Sequence, residues 1–169
     1  MSAEPVAEPI VGFRRWGARR GALYSWIFVA GRFFPNPALA LIAPRARPVP
    51  WQVDDARVAK CFALGGHEAP HRECNCGFAA YYELPREPDV PAREAVWGVI
   101  AAWGRVIECE HGFRAQFARP IALLKRGYPG DAYERGRRLE NAAEAYAIPL
   151  LERDELIAYA GWHGEVRAG

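Results

Sequence analysis

Residues 95–124, "AVWGVIAAWGRVIECEHGFRAQFARPIALL", limit what this chain can fold into more than any other segment. Apolar and polar residues alternate on both sides of a polar tip, which is the period of a strand and not of a helix. A three-residue loop, Glu110-His111-Gly112, places Gly112 at the left-handed position of a bulged hairpin. That register sets Cys109 opposite Phe113, Ile107 opposite Ala115 and Arg105 opposite Phe117. It pairs Glu108 with Arg114 on the other face. The apolar face is consistent apart from Arg105. Gly98 and Gly104 fit bends in a small, strongly curved barrel.

A second hairpin is expected in "IVGFRRWGARRGALYSWIFVAGRFF", turning between Gly17 and Gly21. The proline-rich stretch from Pro35 to Pro50 reads as irregular or edge structure, with Trp51 as an anchor. "FAAYYEL" reads as a strand, and the Pro-bearing "PREPDVPARE" as a loop. After residue 126 the period lengthens to that of a helix. Ala132, Gly136, Leu139, Ala143 and Tyr146 form one stripe, with Asp131 as cap and Glu134 completing a capping box. "IPLL" and "RDELIAYAGW" then read as a short strand and a second helix.

The chain's chemistry is concentrated in "CFALGGHEAPHRECNCG", residues 61–77, which holds three of the four cysteines and two of the four histidines. Zinc takes four nitrogen or sulfur ligands in a tetrahedron. Cys61, His67, Cys74 and Cys76 form the expected set, with His71 as the alternative ligand. The closely spaced thiols argue against a disulfide framework, which needs separated partners, and favour a reducing cytoplasm. "CNCG" looks like a zinc knuckle shortened by one residue, its glycine letting the backbone turn amides toward a thiolate. Four ligands would make the metal structural, and three with a water would make it catalytic.

A net charge of only +2 leaves any nucleic-acid contact to local patches. "FRRWGARRG" supplies one, with Arg14, Arg15, Arg19 and Arg20 around Trp16. Arginine forks on phosphates and an aromatic face for bases are what single-strand binding uses. Trp97 and Trp103, six apart, share a strand face and with Tyr81 or Tyr82 could line an aromatic pocket. The plain alternatives are a solvated turn and core packing. No catalytic residue is assigned; a metal-dependent hydrolase would use Glu68 or Glu110 as base. Arg32, Pro35 and Pro37 interrupt the most apolar stretch, so no membrane-spanning helix is expected.

"GFRRW", "CFALGGHEAPHRECNCGFAAYY" and "WGRVIECEHGFRAQFARPIAL" together resemble a family of small bacterial proteins, actinobacterial in type, that carries no assigned activity. The resemblance spans residues 10–122. It implies His67 as the ligand in place of His71, because His67 lies in the His-Glu-Ala-Pro match. Cys109 departs from the histidine expected there. The chain as a whole reads as mainly β (α+β). A flexible lead-in, 1–9, precedes a β domain, 10–125, that is a small SH3-like or PUA-like barrel with a zinc-clamped loop. A helix–strand–helix segment, 126–169, packs on it. The expected role is a zinc-stabilised binding module of a bacterial cytoplasm, its ligand nucleic acid or protein. A zinc-dependent hydrolase or transferase and a structural subunit of a larger assembly are the alternatives.

Overall fold

A computed structural model describes residues 5–27, 47–51, 53, 57–61, 66–85, 95–125 and 132–163. Eight strands and two helices follow in chain order. They are β1 (Pro5–Arg19), β2 (Ala22–Ile27), β3 (Arg47–Pro50), β4 (Arg57–Val58), β5 (Phe78–Tyr81), β6 (Ala95–Cys109) and β7 (Gly112–Leu124). Helix α1 (Ala132–Ala145), strand β8 (Leu150–Leu151) and helix α2 (Arg153–His163) complete the order. The protein is mainly β, and β1, β6, β7 and β5 close into a ring of four. The link between β1 and β5 is the pair Phe13↔Tyr81. Strand β1 begins at Pro5, so residues 5–9 of the expected lead-in are strand, paired from Pro5↔Arg105 onward.

The first hairpin turns through Arg20 and Gly21, whose φ angles of 52° and 78° are both positive. Two positive φ angles make the two-residue turn that matches strand twist. Most of the proline-rich stretch lies outside the described residues. Its end forms β3, an edge strand on β2, where proline costs no ladder bond. Trp51 is buried beside it, as expected of an anchor.

The second hairpin departs from the expected register by one residue. The loop is Glu110-His111 alone, with Cys109↔Gly112, Glu108↔Phe113 and Ile107↔Arg114 paired. Gly112 is required for space and not for a left-handed turn. A Cβ there would lie 2.0 Å from the Ala80 carbonyl oxygen on β5. Glu108 and Arg114 therefore do not face each other. The register then shifts between Trp103 and Val106, where Gly104 (φ 78°) makes a bulge. Arg105, the residue that broke the apolar pattern, sits in that bulge. Its backbone N–H donates to Gln116 Oε1 at 3.2 Å.

The central strands are buried on both faces. Ile10, Trp16, Val96, Ile100, Ala102, Phe113 and Ala115 pack in one cluster with Leu139, Ala142, Ala143 and Tyr146, the buried side of α1 and its end. Val11, Phe13, Trp97 and Val99 pack in a second cluster with Leu156 and Ala160 of α2. Strand β8 runs parallel to β7 and lies between the two helices in the chain. Leu139, Ala143 and Tyr146 of the expected stripe are buried, whereas a Cβ at Gly136 would meet nothing within 4 Å; the helix–strand–helix order matches expectation, and Asp131 lies outside the described residues.

Candidate metal centre

Strands β4 and β5 pair with the same edge of β7, one after the other. Val58 lies opposite Phe117 and Phe78 opposite Ala115. Two residues of strand separate those anchors, about 7 Å. The chain that leaves β4 and the chain that enters β5 are thus held side by side. Cys61 stands at the first junction and Cys76 at the second, and residues 66–75 bring His67 and Cys74 beside them. A hydrogen bond from the Ala59 N–H to the Gln116 carbonyl, 2.7 Å, carries the β4 pairing toward Cys61.

One ligand atom from each of Cys61, His67, Cys74 and Cys76 lies within 4.8 Å of all the others. The Cys61 and Cys74 sulfurs are 3.7 Å apart, and Cys76 Sγ is 3.4 Å from His67 Nε2. A zinc tetrahedron with the usual bond lengths has sulfur–sulfur edges of about 3.8 Å and sulfur–nitrogen edges of about 3.6 Å. None of the four cysteines forms a disulfide. The donor set fits a single metal ion.

The thiols are unevenly tuned before any metal is counted. Burial pushes the Cys76 thiol up to about 11, helped by the Cys74 and Cys61 sulfurs, while a bond to the His71 backbone opposes it. Burial also raises Cys74, but the backbone of Cys76, the neighbouring thiols and the Arg114 charge outweigh it and leave its pKa lowered. Three thiolates cannot share one site without a cation between them, and a divalent metal supplies that charge.

Two features shape the loop. Gly77 has φ 111°, and a Cβ there would lie 2.9 Å from Pro70 and 3.2 Å from Arg114 Cβ. Arg114 reaches the loop from β7. Its Nη1 donates to the carbonyls of His71 (3.1 Å), Cys76 (3.3 Å) and Cys74. This residue was missed in the sequence because the assumed register paired it with Glu108. A one-residue slip sends each side chain to the opposite face.

His71, the alternative ligand, lies outside the cluster of four donor atoms. Its Nδ1 accepts the Glu73 N–H at 3.3 Å, and its ring packs on His67 with centroids 4.4 Å apart. Proline before it and the turn after it make His71 a loop-capping residue. Glu68 pairs with Arg105 at 2.9 Å, and Glu110 sits exposed at the hairpin tip beside His111. Neither belongs to the cluster of ligand atoms.

The arginine–tryptophan surface does not exist as expected. Trp16 is 0% exposed, with its edge against Trp51 in the core. Strand alternation turns Arg14 to the same side as Trp16, where it lies over Trp51 and Phe78. Arg15, Arg19 and Arg20 remain on the surface. Trp97 is buried against Tyr81, whereas Trp103 stacks on Phe117 at 6.1 Å. The two tryptophans share a face but, six residues or about 20 Å apart along the strand, they share no pocket. Tyr82 packs in the opposite cluster, on Phe113.

Among the described residues no helix is long and apolar enough to cross a membrane. No family model, curated protein or solved structure matches the chain.

Proposed function

We propose that the Cys61–His67–Cys74–Cys76 site holds a structural zinc ion and that the protein is a zinc-stabilised, non-enzymatic binding module of a bacterial cytoplasm. The observation that carries this reading is a set of four protein donors whose ligand atoms all lie within 4.8 Å of one another. With all four positions filled by protein, no coordination site is left for a substrate or a reacting water. The metal clamps the connection between β4 and β5 against β7 and contributes its binding free energy to folding. The barrel type we assign to this four-strand ring with one clamped loop is SH3-like or PUA-like.

Two exposed surfaces support the ligand classes. Arg19 and Arg20 at the β1–β2 turn, with Arg15 further back on β1, are exposed and suit phosphate contacts of a nucleic acid. On α2, Trp162 is 83% exposed and Ile157 is 45% exposed, which suits an apolar protein contact. The apolar stretch 27–44, which would favour a subunit of a larger assembly, lies almost wholly outside the described residues.

Elemental analysis of the purified chain tests the metal. One zinc per chain, with three of the four thiols protected until a chelator is added, is the expected result. A metal-free protein with four equally reactive thiols would overturn it.

A further inference from the structure

We propose that the outer face of β4, β7 and β6 binds single-stranded nucleic acid, with bases on the row Val58, Phe117 and Trp103 and phosphates on the cations around it. This rests on the binding-module reading above and assigns that module a ligand and a surface. Val58 lies opposite Phe117, and Phe117 opposite Trp103, so the three side chains form one row across three strands. The Trp103 and Phe117 rings stack, with centroids 6.1 Å apart and planes 19° apart. A Cβ at Gly104 would lie 2.5 Å from Phe117 Cδ2, so the glycine makes room for that ring. The row belongs to neither core cluster: Val58 is 49% exposed and both rings are part-exposed.

Cations surround the row. Arg119 stands two residues from Phe117 on β7, and Lys60 two residues from Val58, where the Ala59 N–H continues the pairing with β7. Strand alternation places both on the face of the row, and both are exposed. Arg105, two residues beyond Trp103, lines a cleft of about 410 Å³ with Ile107 and with Pro70, His71, Arg72 and Glu73 of the metal loop. Arg105 is paired with Glu68, but Lys60, Arg72 and Arg119 have no ion pair among the described residues. The core of a protein–protein interface is depleted of charge and broadly apolar. Here the apolar row is three residues wide and its rim is cationic, which is the pattern that holds single strands: rings take base faces and cations take the backbone. Bases paired in a helix stack on one another, whereas unpaired bases have faces free to lie on a ring.

The test is fluorescence anisotropy of a labelled oligothymidine of about 12 nucleotides, within the site size of single-strand binders, titrated with the full chain of measured zinc content. Saturable binding, at least about tenfold tighter than to a duplex of the same length, is expected. Trp103→Leu, which keeps the face apolar, weakens it at least about fivefold, the loss of one stacked base. Lys60→Gln and Arg119→Gln each make the plot of log affinity against log salt shallower by about 0.7, one phosphate contact per cation. Lys125→Gln, the same loss of charge beyond the end of β7, leaves both readings unchanged. A Trp103→Leu protein that binds like the wild type, or a duplex bound as tightly as the single strand, overturns the proposal. A zinc-loaded chain that binds neither nucleic acid also overturns it, leaving the face to a polypeptide and the metal reading intact. Single-strand binding by a metal-free chain supports the surface and overturns the zinc reading instead.

Discussion

Replacing Arg114 with methionine should weaken zinc binding although Arg114 touches no metal. Its Nη1 faces three loop carbonyls, those of His71, Cys74 and Cys76, but carries only two hydrogens. The loss is therefore that of a shared charge-assisted donor, not of three bonds, and amounts to about 2–3 kcal/mol. If the loop is ordered only when zinc is bound, that energy is drawn from metal affinity. Zinc should then bind roughly 30- to 150-fold more weakly, since 1.4 kcal/mol is a factor of ten. The low end of that range overlaps the ~10- to 100-fold typical of residues that support metal ligands. Competition titration against a zinc chelator measures the affinity, and thermal unfolding with and without zinc measures the coupling. The variant should lose stability in the zinc-bound form and little in the chelated form. An affinity within threefold of wild type would refute the idea that this arginine organises the loop.

Three further outcomes follow from named contacts. His67→Ala should abolish stoichiometric zinc, whereas His71→Ala should retain it with at most a modest loss of affinity, because His71 caps a turn; metal analysis of the two purified variants decides this, and equal loss in both would place His71 among the ligands. Gly112→Ala should destabilise the fold by about 3 kcal/mol or more in denaturant unfolding, since the added methyl meets backbone 2.0 Å away; a change below about 1 kcal/mol would mean that β5 can move aside. Tyr146 has its pKa raised, chiefly by burial, and its hydroxyl donates to the Trp51 carbonyl at 2.7 Å while accepting the Leu23 N–H. Its contribution is present in full below pH ~10, the unfolded value, and is lost as pH rises through the higher folded value. Tyr146→Phe should therefore be less stable at neutral pH and lose less stability on going to about pH 11. Parallel pH–stability curves for the two proteins would contradict that.

The ligand set was legible because the required residue types, three thiols and a histidine, are crowded within one short stretch. Elements were legible for a similar reason. Hairpin alternation, the stripe Leu139–Ala143–Tyr146 and the short "IPLL" strand are local patterns that tertiary packing kept. Register was not legible, because a two- and a three-residue loop both suit the sequence around Glu110. The choice was made by β5, whose Ala80 carbonyl approaches Gly112 from outside the hairpin. That choice moved Arg114 from a presumed partner of Glu108 to the metal loop.

The same division explains the arginines and tryptophans near the N-terminus. "FRRWGARRG" has the composition of a binding surface, and composition does not say which way a strand faces. Burial of β1 on both sides decided it, taking Trp16 into the core and turning Arg14 inward beside Trp51. The sequence by itself determined the strand and helix types and the four donors, since these depend on neighbours in the chain. Only the tertiary structure decided that β4 and β5 share one edge of β7, which brings donors fifteen residues apart into one cluster. It alone also decided that Arg14 lies over the rings of Trp51 and Phe78, far from it in the chain. Strand pairing between distant segments depends on contacts that no local window of sequence contains.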